Sequence, residues 1–237
     1  MTELGNRLKE ARETKGLSLD DLQEITRIIY GEPNDRFFNT WEIMANQEKF
    51  MMRAIKGIRK NNLEKIRKNL VITTGWYISL LNRLHINLAQ IVWQRFPRLC
   101  SYCGSSPCNC KITKPKTRAK IEIKNCRQPR TLKEYQTMFN EIYPAKTRNL
   151  EHAGIHLAEE DGELSEAVQS FHGSHDCKYF GHIIEEAADY FSCLMGIFNS
   201  TNLDFETEMM NFYTKNCHSC HKVPCVCNFK AISDFKS

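Results

Sequence analysis

The sequence contains no apolar run of roughly 18 residues, and Asn, Arg or His interrupts each of its longer apolar stretches. A helix needs about 20 such residues to cross a bilayer, so the sequence predicts no membrane span. No signal peptide is recognisable either, which favours a cytoplasmic location and a reducing compartment.

Strand signals are equally scarce. Only "AKIEIK", residues 119–124, alternates polar with apolar side chains, and this segment is too isolated to build a sheet. The 237 residues are 41% hydrophobic, which is enough for a packed core in one or two domains. Apolar residues recur at helical intervals, for example at Leu157, Leu164 and Val168, so we predict an all-α fold.

The chain repeats itself, which favours two domains. Residues 18–30, "SLDDLQEITRIIY", match residues 131–143, "TLKEYQTMFNEIY", without a gap. A shorter loop in the first copy shifts the register, after which Asn82 lies opposite Asn199. The identical pairs in the first match are Leu19/Leu132, Gln23/Gln136, Ile29/Ile142 and Tyr30/Tyr143. The repeats divide the chain into a charged N-terminal helix (1–17), a first repeat (18–110), a basic linker (111–130), a second repeat (131–227) and a C-terminal tail (228–237).

Each repeat ends in a cysteine cluster of the form C-x2-C-x4-C-x-C. Four thiolates at this spacing can surround a tetrahedral Zn²⁺ ion, and a closed shell of four cysteines is structural rather than catalytic. Disulfides, unligated thiols and an iron-sulfur cluster are the alternatives, and a reducing compartment disfavours the disulfides. His218 and His221 lie inside the second cluster and could replace a thiolate, but we expect them to be exposed bystanders. The predicted zinc ligands are Cys100, Cys103, Cys108 and Cys110 in the first cluster, and Cys217, Cys220, Cys225 and Cys227 in the second.

Two pairs of acidic residues, Glu160 with Glu163 and Glu186 with Asp189, are each spaced i, i+3 on predicted helices. On packed helices all four carboxylates could converge, where they would repel each other or bind protons unless a hard divalent ion neutralised them. The alternative interpretation is a pair of solvated helix faces. We predict a Mg²⁺ site at these four residues, with Glu159 as an outer ligand. Other acidic residues near the pairs are expected at the surface: Asp161, Glu166 and Glu185.

The first repeat lacks these carboxylates. The residues opposite Glu160, Glu163, Glu186 and Asp189 are Gln47, Phe50, Asn69 and Ile72. Neutral side chains do not supply the negative charge that holds Mg²⁺. The sequence therefore predicts one competent and one degenerate repeat.

The pattern resembles the MazG family of all-α nucleoside triphosphate pyrophosphohydrolases. The family's two acidic motifs, EExxE and ExxD, match residues 159–163 and 186–189. Some short members also have a helix similar to "SLDDLQEITRIIYGEPNDR" and a tail similar to "CHSCHKVPCVC". The resemblance covers residues 18–227 and implies two tandem helical bundles, each with a zinc-binding tail.

This resemblance implies Mg²⁺-dependent hydrolysis of a nucleoside triphosphate to the monophosphate and pyrophosphate. Glu160 or Glu159 would serve as the base for the attacking water. The catalytic set would be Glu159, Glu160, Glu163, Glu186 and Asp189. Basic residues beside the acidic helices are the candidates for phosphate contacts: Lys146, Arg148, Lys178 and His182.

Members of this family pair to build their sites. In this chain the first repeat could act as the partner, although core packing is the commoner role for its aromatic residues. The resemblance also implies a homo-oligomer, a dimer of such pseudo-dimers. Residues of the first repeat that could reach a substrate are Trp41, Phe50, Arg53 and Trp76.

The basic linker carries eight Lys or Arg residues against one Glu. Such a run is most often a solvated connector, although it could attract nucleic acid or the phosphates of a substrate. Nucleic-acid binding is not expected, because no motif that reads bases accompanies the charge. The alternative to an enzyme is a zinc-stabilised scaffold without catalysis, which senses nucleotides or binds a partner through this linker.

Overall fold

The computed structural model describes residues 16–121, 126–213 and 216–235. Within these ranges every regular element is a helix, which confirms the all-α prediction there. The predicted N-terminal helix lies almost wholly outside the described residues, as does part of "AKIEIK". The helices are α1 (Leu19–Phe37), α2 (Thr40–Arg59), α3 (Leu63–Arg83), α4 (Leu88–Arg95), α5 (Cys110–Thr113), α6 (Leu132–Ile142), a 3₁₀ turn (Ala145–Thr147), α7 (Leu150–Ser174), α8 (Cys177–Ser200), α9 (Phe205–Tyr213) and α10 (Phe229–Ser233).

Side-chain caps begin the long helices. The Ser18 hydroxyl accepts the Asp21 N–H at 3.0 Å and begins α1, and the Asn149 side chain accepts the His152 N–H at 2.9 Å and begins α7. These caps provide acceptors for N–H groups that a helix leaves without an internal partner. No helix among the described residues is both long enough and apolar enough to cross a membrane.

The chain forms two compact units whose boundaries differ from those of the sequence repeats. The first unit joins the described residues up to Leu88 to those from Phe205 onward, and the second unit is residues 89–204. Each unit therefore contains the long helices of one repeat together with the cysteine cluster of the other repeat.

In the first unit, α1, α2 and α3 pack with α9 and with the second cysteine cluster. The Tyr213 hydroxyl on α9 donates to the carbonyl of Val71 at 3.1 Å and lies against Gly75, where a Cβ atom would overlap it. The backbone N–H of Cys225 donates to the carbonyl of Ile29 on α1 at 2.8 Å. Through these contacts the C-terminal part of the second repeat packs on the helices of the first repeat.

In the second unit, α6 and α7 pack against α8, and the unit also includes α4 and the first cysteine cluster. The backbone N–H of Cys108 donates to the carbonyl of Ile142 at 2.7 Å. Phe96, which follows α4, packs edge-on against Phe139 of α6 with ring centroids 5.2 Å apart. The core of this unit is built from fully buried residues that include Leu132, Tyr135, Leu157, Leu164, Phe191, Leu194 and Phe198.

Equivalent residues of the two repeats make equivalent hydrogen bonds. The Gln23 amide donates to the carbonyl of Ile86 at 2.7 Å, and the Gln136 amide donates to the carbonyl of Leu203 at 2.8 Å. The Asn82 and Asn199 amides donate in turn to the carbonyls of Gln23 and Gln136, both at 3.1 Å. The register found in the sequence therefore has a direct counterpart in the polar contacts of each unit.

Candidate functional site

Three of the predicted ligands converge where α7 packs against α8. One carboxylate oxygen each from Glu160, Glu163 and Glu186 lies within 4.8 Å of the other two. Glu163 is exposed, whereas Glu160 and Glu186 are half-buried. We call these three residues the acidic cluster. The i, i+3 spacing explains the convergence, because it places both glutamates of α7 on one face.

Electrostatics in the acidic cluster favour a bound cation. Burial, together with the charges of Asp189, Glu163 and Glu186, raises the pKa of Glu160 to about 8. Burial and the charges of Asp189 and Glu163 raise the pKa of Glu186 to about 7. The Oε2 atoms of Glu160 and Glu186 are buried without a hydrogen-bond partner among the described residues. A divalent ion would supply that partner and neutralise the repulsion, so these residues fit Mg²⁺.

Asp189, the fourth predicted ligand, is held by two arginines. Arg95 forms a bidentate pair with it, with Nη2 2.6 Å from Oδ2 and Nε 3.1 Å from Oδ1. Both terminal nitrogens of Arg118 lie 3.3 Å from the same Oδ2. Burial raises the pKa of Asp189, and Arg95 opposes that rise. Asp189 therefore lies beside the acidic cluster with its carboxylate in an ion pair.

The other acidic residues of α7 differ in their exposure to solvent. Glu159 is exposed and pairs with His156, with Oε2 3.0 Å from Nδ1, and it is not brought into the acidic cluster. Glu166 is exposed as expected. The surface position expected for Asp161 is wrong, since only 6% of this residue is exposed. It lies four residues after Leu157 and so shares the buried stripe of the helix.

The four basic candidates differ in burial. Lys146, Lys178 and His182 are exposed. Arg148 is half-buried, lies over the ring of Tyr143 at 5.7 Å, and has no carboxylate partner among the described residues. Gly196 on α8 makes room for it, because a Cβ atom there would overlap the guanidinium. Burial lowers the pKa of Arg148.

Arg95 and Arg118 contact Asp189 although no motif in the sequence marks them as site residues. Arg95 ends α4 of the first repeat, and Arg118 lies in the basic linker, so neither is close in sequence to the acidic helices. The repeat alignment did carry a signal, because the equivalent residues of the second copy are the apolar Phe212 and Phe235.

In the first unit the four equivalent positions carry no charge, although Lys49 and Arg53 lie over the Phe50 ring at 4.9 and 5.0 Å. Gln47, Phe50, Asn69 and Ile72 are all buried there. The Phe235 ring packs against Phe50 with centroids 6.2 Å apart. A small cavity of about 60 Å³ adjoins these rings. Trp41, Phe50, Arg53 and Trp76, the first-repeat residues considered for substrate contacts, all lie in this unit.

Both cysteine clusters have distances that suit zinc. The sulfur pairs Cys100/Cys110 and Cys103/Cys108 are 3.7 and 4.0 Å apart. In the second cluster the corresponding pairs, Cys217/Cys227 and Cys220/Cys225, are both 3.9 Å apart. A tetrahedral site with Zn–S bonds of ~2.3 Å has edges of about 3.8 Å. Backbone N–H groups also point at the sulfurs, as from Asn109 to Cys103 at 3.4 Å, and each cluster could therefore hold one zinc ion.

His218 is not the exposed bystander that the sequence analysis expected. Its Nδ1 lies 3.1 Å from the Tyr30 hydroxyl, and its ring packs on Phe212 with centroids 4.5 Å apart. Burial lowers the pKa of His218. His221 is exposed as expected. On α8, burial raises the pKa of the lone thiol of Cys193 to about 12.

Comparison of the chain with protein-family models, with curated proteins and with solved structures found no match. The functional inference therefore depends on the residues and their geometry. Three features of the second unit bear on function: the acidic cluster, the two arginines at Asp189 and the half-buried Arg148.

Proposed function

We propose that the chain is a Mg²⁺-dependent nucleoside triphosphate pyrophosphohydrolase built from two MazG-like helical bundles, one of them degenerate. The observation that carries this proposal is the acidic cluster, in which three carboxylates converge and two buried oxygens lack partners. A solvated helix face would leave those oxygens in contact with water. Convergence on a partly buried point instead matches a site for a hard cation.

Glu160, Glu163 and Glu186 would hold the Mg²⁺ ion. When bound, Mg²⁺ supplies Lewis-acid stabilisation of phosphate oxygens and a more acidic water. The two helices hold the carboxylates in place, because α7 and α8 pack against each other. This preorganisation lowers the cost of gathering like charges at the moment of binding.

The hydrolysis consumes one water molecule and cleaves the anhydride between the α and β phosphates. Glu160 is the better candidate to accept the proton of that water, since it belongs to the acidic cluster and is half-buried. Glu159 points to solvent and is paired with His156. The products are the nucleoside monophosphate and pyrophosphate.

Arg148 is the best-placed phosphate ligand among the four basic candidates. Its guanidinium lies against Gly196, which is two turns after Asp189 on α8, in the space that a Cβ atom would fill. Among the described residues no carboxylate neutralises its charge. A guanidinium in a partly dehydrated position binds phosphate oxygens more strongly than an exposed lysine does.

We further propose structural zinc in both cysteine clusters, a cytoplasmic location and assembly of two chains into a pseudo-tetramer. The sulfur distances support the zinc, and reduced thiols are consistent with the cytoplasm. The packing of Phe235 on Phe50, at a position without a carboxylate, favours a scaffolding role without catalysis for the first unit.

Two matched glutamate substitutions test the proposal. Glu186→Gln removes a member of the acidic cluster, whereas Glu166→Gln removes an exposed glutamate of α7 outside it. We expect the first variant to lose Mg²⁺-dependent hydrolysis by more than about 100-fold and the second to stay within about twofold of the unmodified protein. Equal activity in both variants would contradict the proposal.

A further inference from the structure

We propose that Arg118 is a phosphate-binding residue of the second unit. In the structure it contacts Asp189, and a bound nucleoside triphosphate would take over Arg118 while Arg95 keeps its bidentate pair with Asp189. This inference rests on the proposed function, and it assigns the basic linker to the active site rather than to a connector.

The two arginines hold Asp189 unequally. Arg95 is 13% exposed and contacts the carboxylate bidentately, with a shortest distance of 2.6 Å. Arg118 is 41% exposed, lies on a segment outside the helices, and comes no closer than 3.3 Å. A solvent-accessible guanidinium with long contacts can change partner at low cost, whereas a buried bidentate pair cannot.

The neighbouring charges indicate what could take over Arg118. Nη1 of Arg95 also lies 3.4 Å from Oε2 of Glu185, so Asp189 and Glu185 together match the charges of the two arginines. The three carboxylates of the acidic cluster remain for a divalent cation. A ligand that brings its own negative charge and also binds a divalent ion would use both features.

The first unit provides an internal comparison. Arg118 and Phe235 lie at the same distance in sequence after the last cysteine of their clusters. Phe235 packs on Phe50, the residue that replaces Glu163 in the degenerate copy. A cation occupies this position in the unit with the carboxylates, and an aromatic ring occupies it in the unit without them. This difference between the units associates Arg118 with the function of the acidic cluster.

The linker around Arg118 identifies the class of ligand. Residues 111–120 carry five basic side chains and no acidic one. Lys111, Lys114, Lys116, Arg118 and Lys120 are all on exposed residues. A triphosphate, whose charge is spread over several phosphates, matches a carboxylate-held cation on one side and a cationic segment on the other.

The first cysteine cluster positions the arginine. The Arg118 guanidinium lies over the ring of Tyr102 at 5.8 Å, and the next residue, Ala119, donates its N–H to the Tyr102 carbonyl at 2.8 Å. Tyr102 lies between Cys100 and Cys103. The predicted zinc site therefore anchors the segment that presents Arg118.

Two binding measurements on the full chain test this inference. The first titrates a non-hydrolysable α,β-methylene nucleoside triphosphate in the presence of Mg²⁺, and the second titrates Mn²⁺ alone by electron paramagnetic resonance. For Arg118→Gln we expect nucleotide binding at least ~10-fold weaker, with Mn²⁺ binding unchanged or tighter because a positive charge near the acidic cluster is removed. Arg118→Lys should recover part of the nucleotide affinity. The control is Arg98→Gln, which removes an exposed arginine paired with Glu141 in the same unit.

The outcomes separate the two proposals. If the unmodified protein binds and hydrolyses triphosphates but Arg118→Gln binds the analogue equally well, Arg118 is only a counter-ion and the inference is overturned alone. If the unmodified protein neither binds nor hydrolyses any nucleotide, the proposed function fails and the inference fails with it. Thermal melts of each variant identify any loss of fold, in which case Arg118→Lys decides the question.

Discussion

The backbone N–H of Cys108 donates to the carbonyl of Ile142, which joins the cysteine cluster of the first repeat to a helix of the second. Cys225 makes the equivalent bond to Ile29 in the other unit. The repeats have thus exchanged their C-terminal parts, and the acidic site lies in a unit that both repeats build. This exchange explains why Arg95, from the first repeat, pairs with Asp189 of the second.

Loss of a cysteine should weaken the second unit. Cys108→Ser removes one predicted zinc ligand, and we expect one less zinc ion per chain and a fall of more than about 2 kcal/mol in the free energy of unfolding, because structural zinc contributes folding energy. Cys177→Ser, which changes an exposed thiol outside both clusters, should shift it by less than about 0.5 kcal/mol. Metal analysis and chemical denaturation measure both effects, and unchanged zinc content in Cys108→Ser would contradict the assignment.

A fragment of residues 18–110 should not form a stable monomer. Its cysteine cluster has its packing partner, Ile142, outside the fragment, and the face of Gly75 that Tyr213 covers would be open. Circular dichroism and light scattering would show weak helicity or association. A cooperatively unfolding monomer would mean that the cluster can fold back onto its own repeat.

Stability of the metal-free protein should fall as pH rises from about 4.5 to 8. The pKa of Glu160 is raised to about 8 from an ordinary value of 4.5, so the folded chain binds more protons than the unfolded chain in this window. A raised carboxyl pKa therefore contributes stability at low pH that disappears at high pH. Thermal melts in EDTA at several pH values measure the fall, and Mg²⁺ should oppose it at pH 8. Glu160→Gln should flatten the profile, and an unaltered profile in that variant would rule out Glu160 as the source.

Gly196→Ala should impair catalysis through Arg148. A methyl group at this position would displace the guanidinium, and a shift of ~1 Å in a positioning group can lower the rate by up to about 100-fold. Gly181→Ala is the matched control on α8, because nothing lies within 4 Å of its added Cβ, and it should stabilise the helix by ~0.5–1 kcal/mol. Steady-state kinetics and thermal melts of the two variants separate these effects. Full activity in Gly196→Ala would remove Arg148 from the substrate site.

The features that could be predicted from the sequence depend on short spacings. The i, i+3 glutamates and the cysteine motif each place their ligands within a few turns or one loop, so their convergence follows from local geometry. Asp161 is buried against the expectation from its charge, because it shares the apolar stripe of α7 with Leu157.

The contacts of Arg95 and Arg118 depend instead on long-range packing. Arg95 lies 94 residues from Asp189 in sequence, and Arg118 lies 71 residues from it. Nothing in one sequence specifies which repeat's helices a C-terminal segment will join. In the repeat alignment these two arginines lie opposite Phe212 and Phe235, and this difference between the repeats was the only sign of the contacts in the sequence.

Product analysis with the purified 237-residue chain tests directly whether it is a nucleoside triphosphate pyrophosphohydrolase. Each ribo- and deoxyribonucleoside triphosphate is incubated with Mg²⁺ or with EDTA, and monophosphate, diphosphate, pyrophosphate and phosphate are resolved. The account predicts equal amounts of monophosphate and pyrophosphate from at least one nucleotide, only with Mg²⁺. Formation of diphosphate and phosphate, or no turnover of any nucleotide, would contradict it.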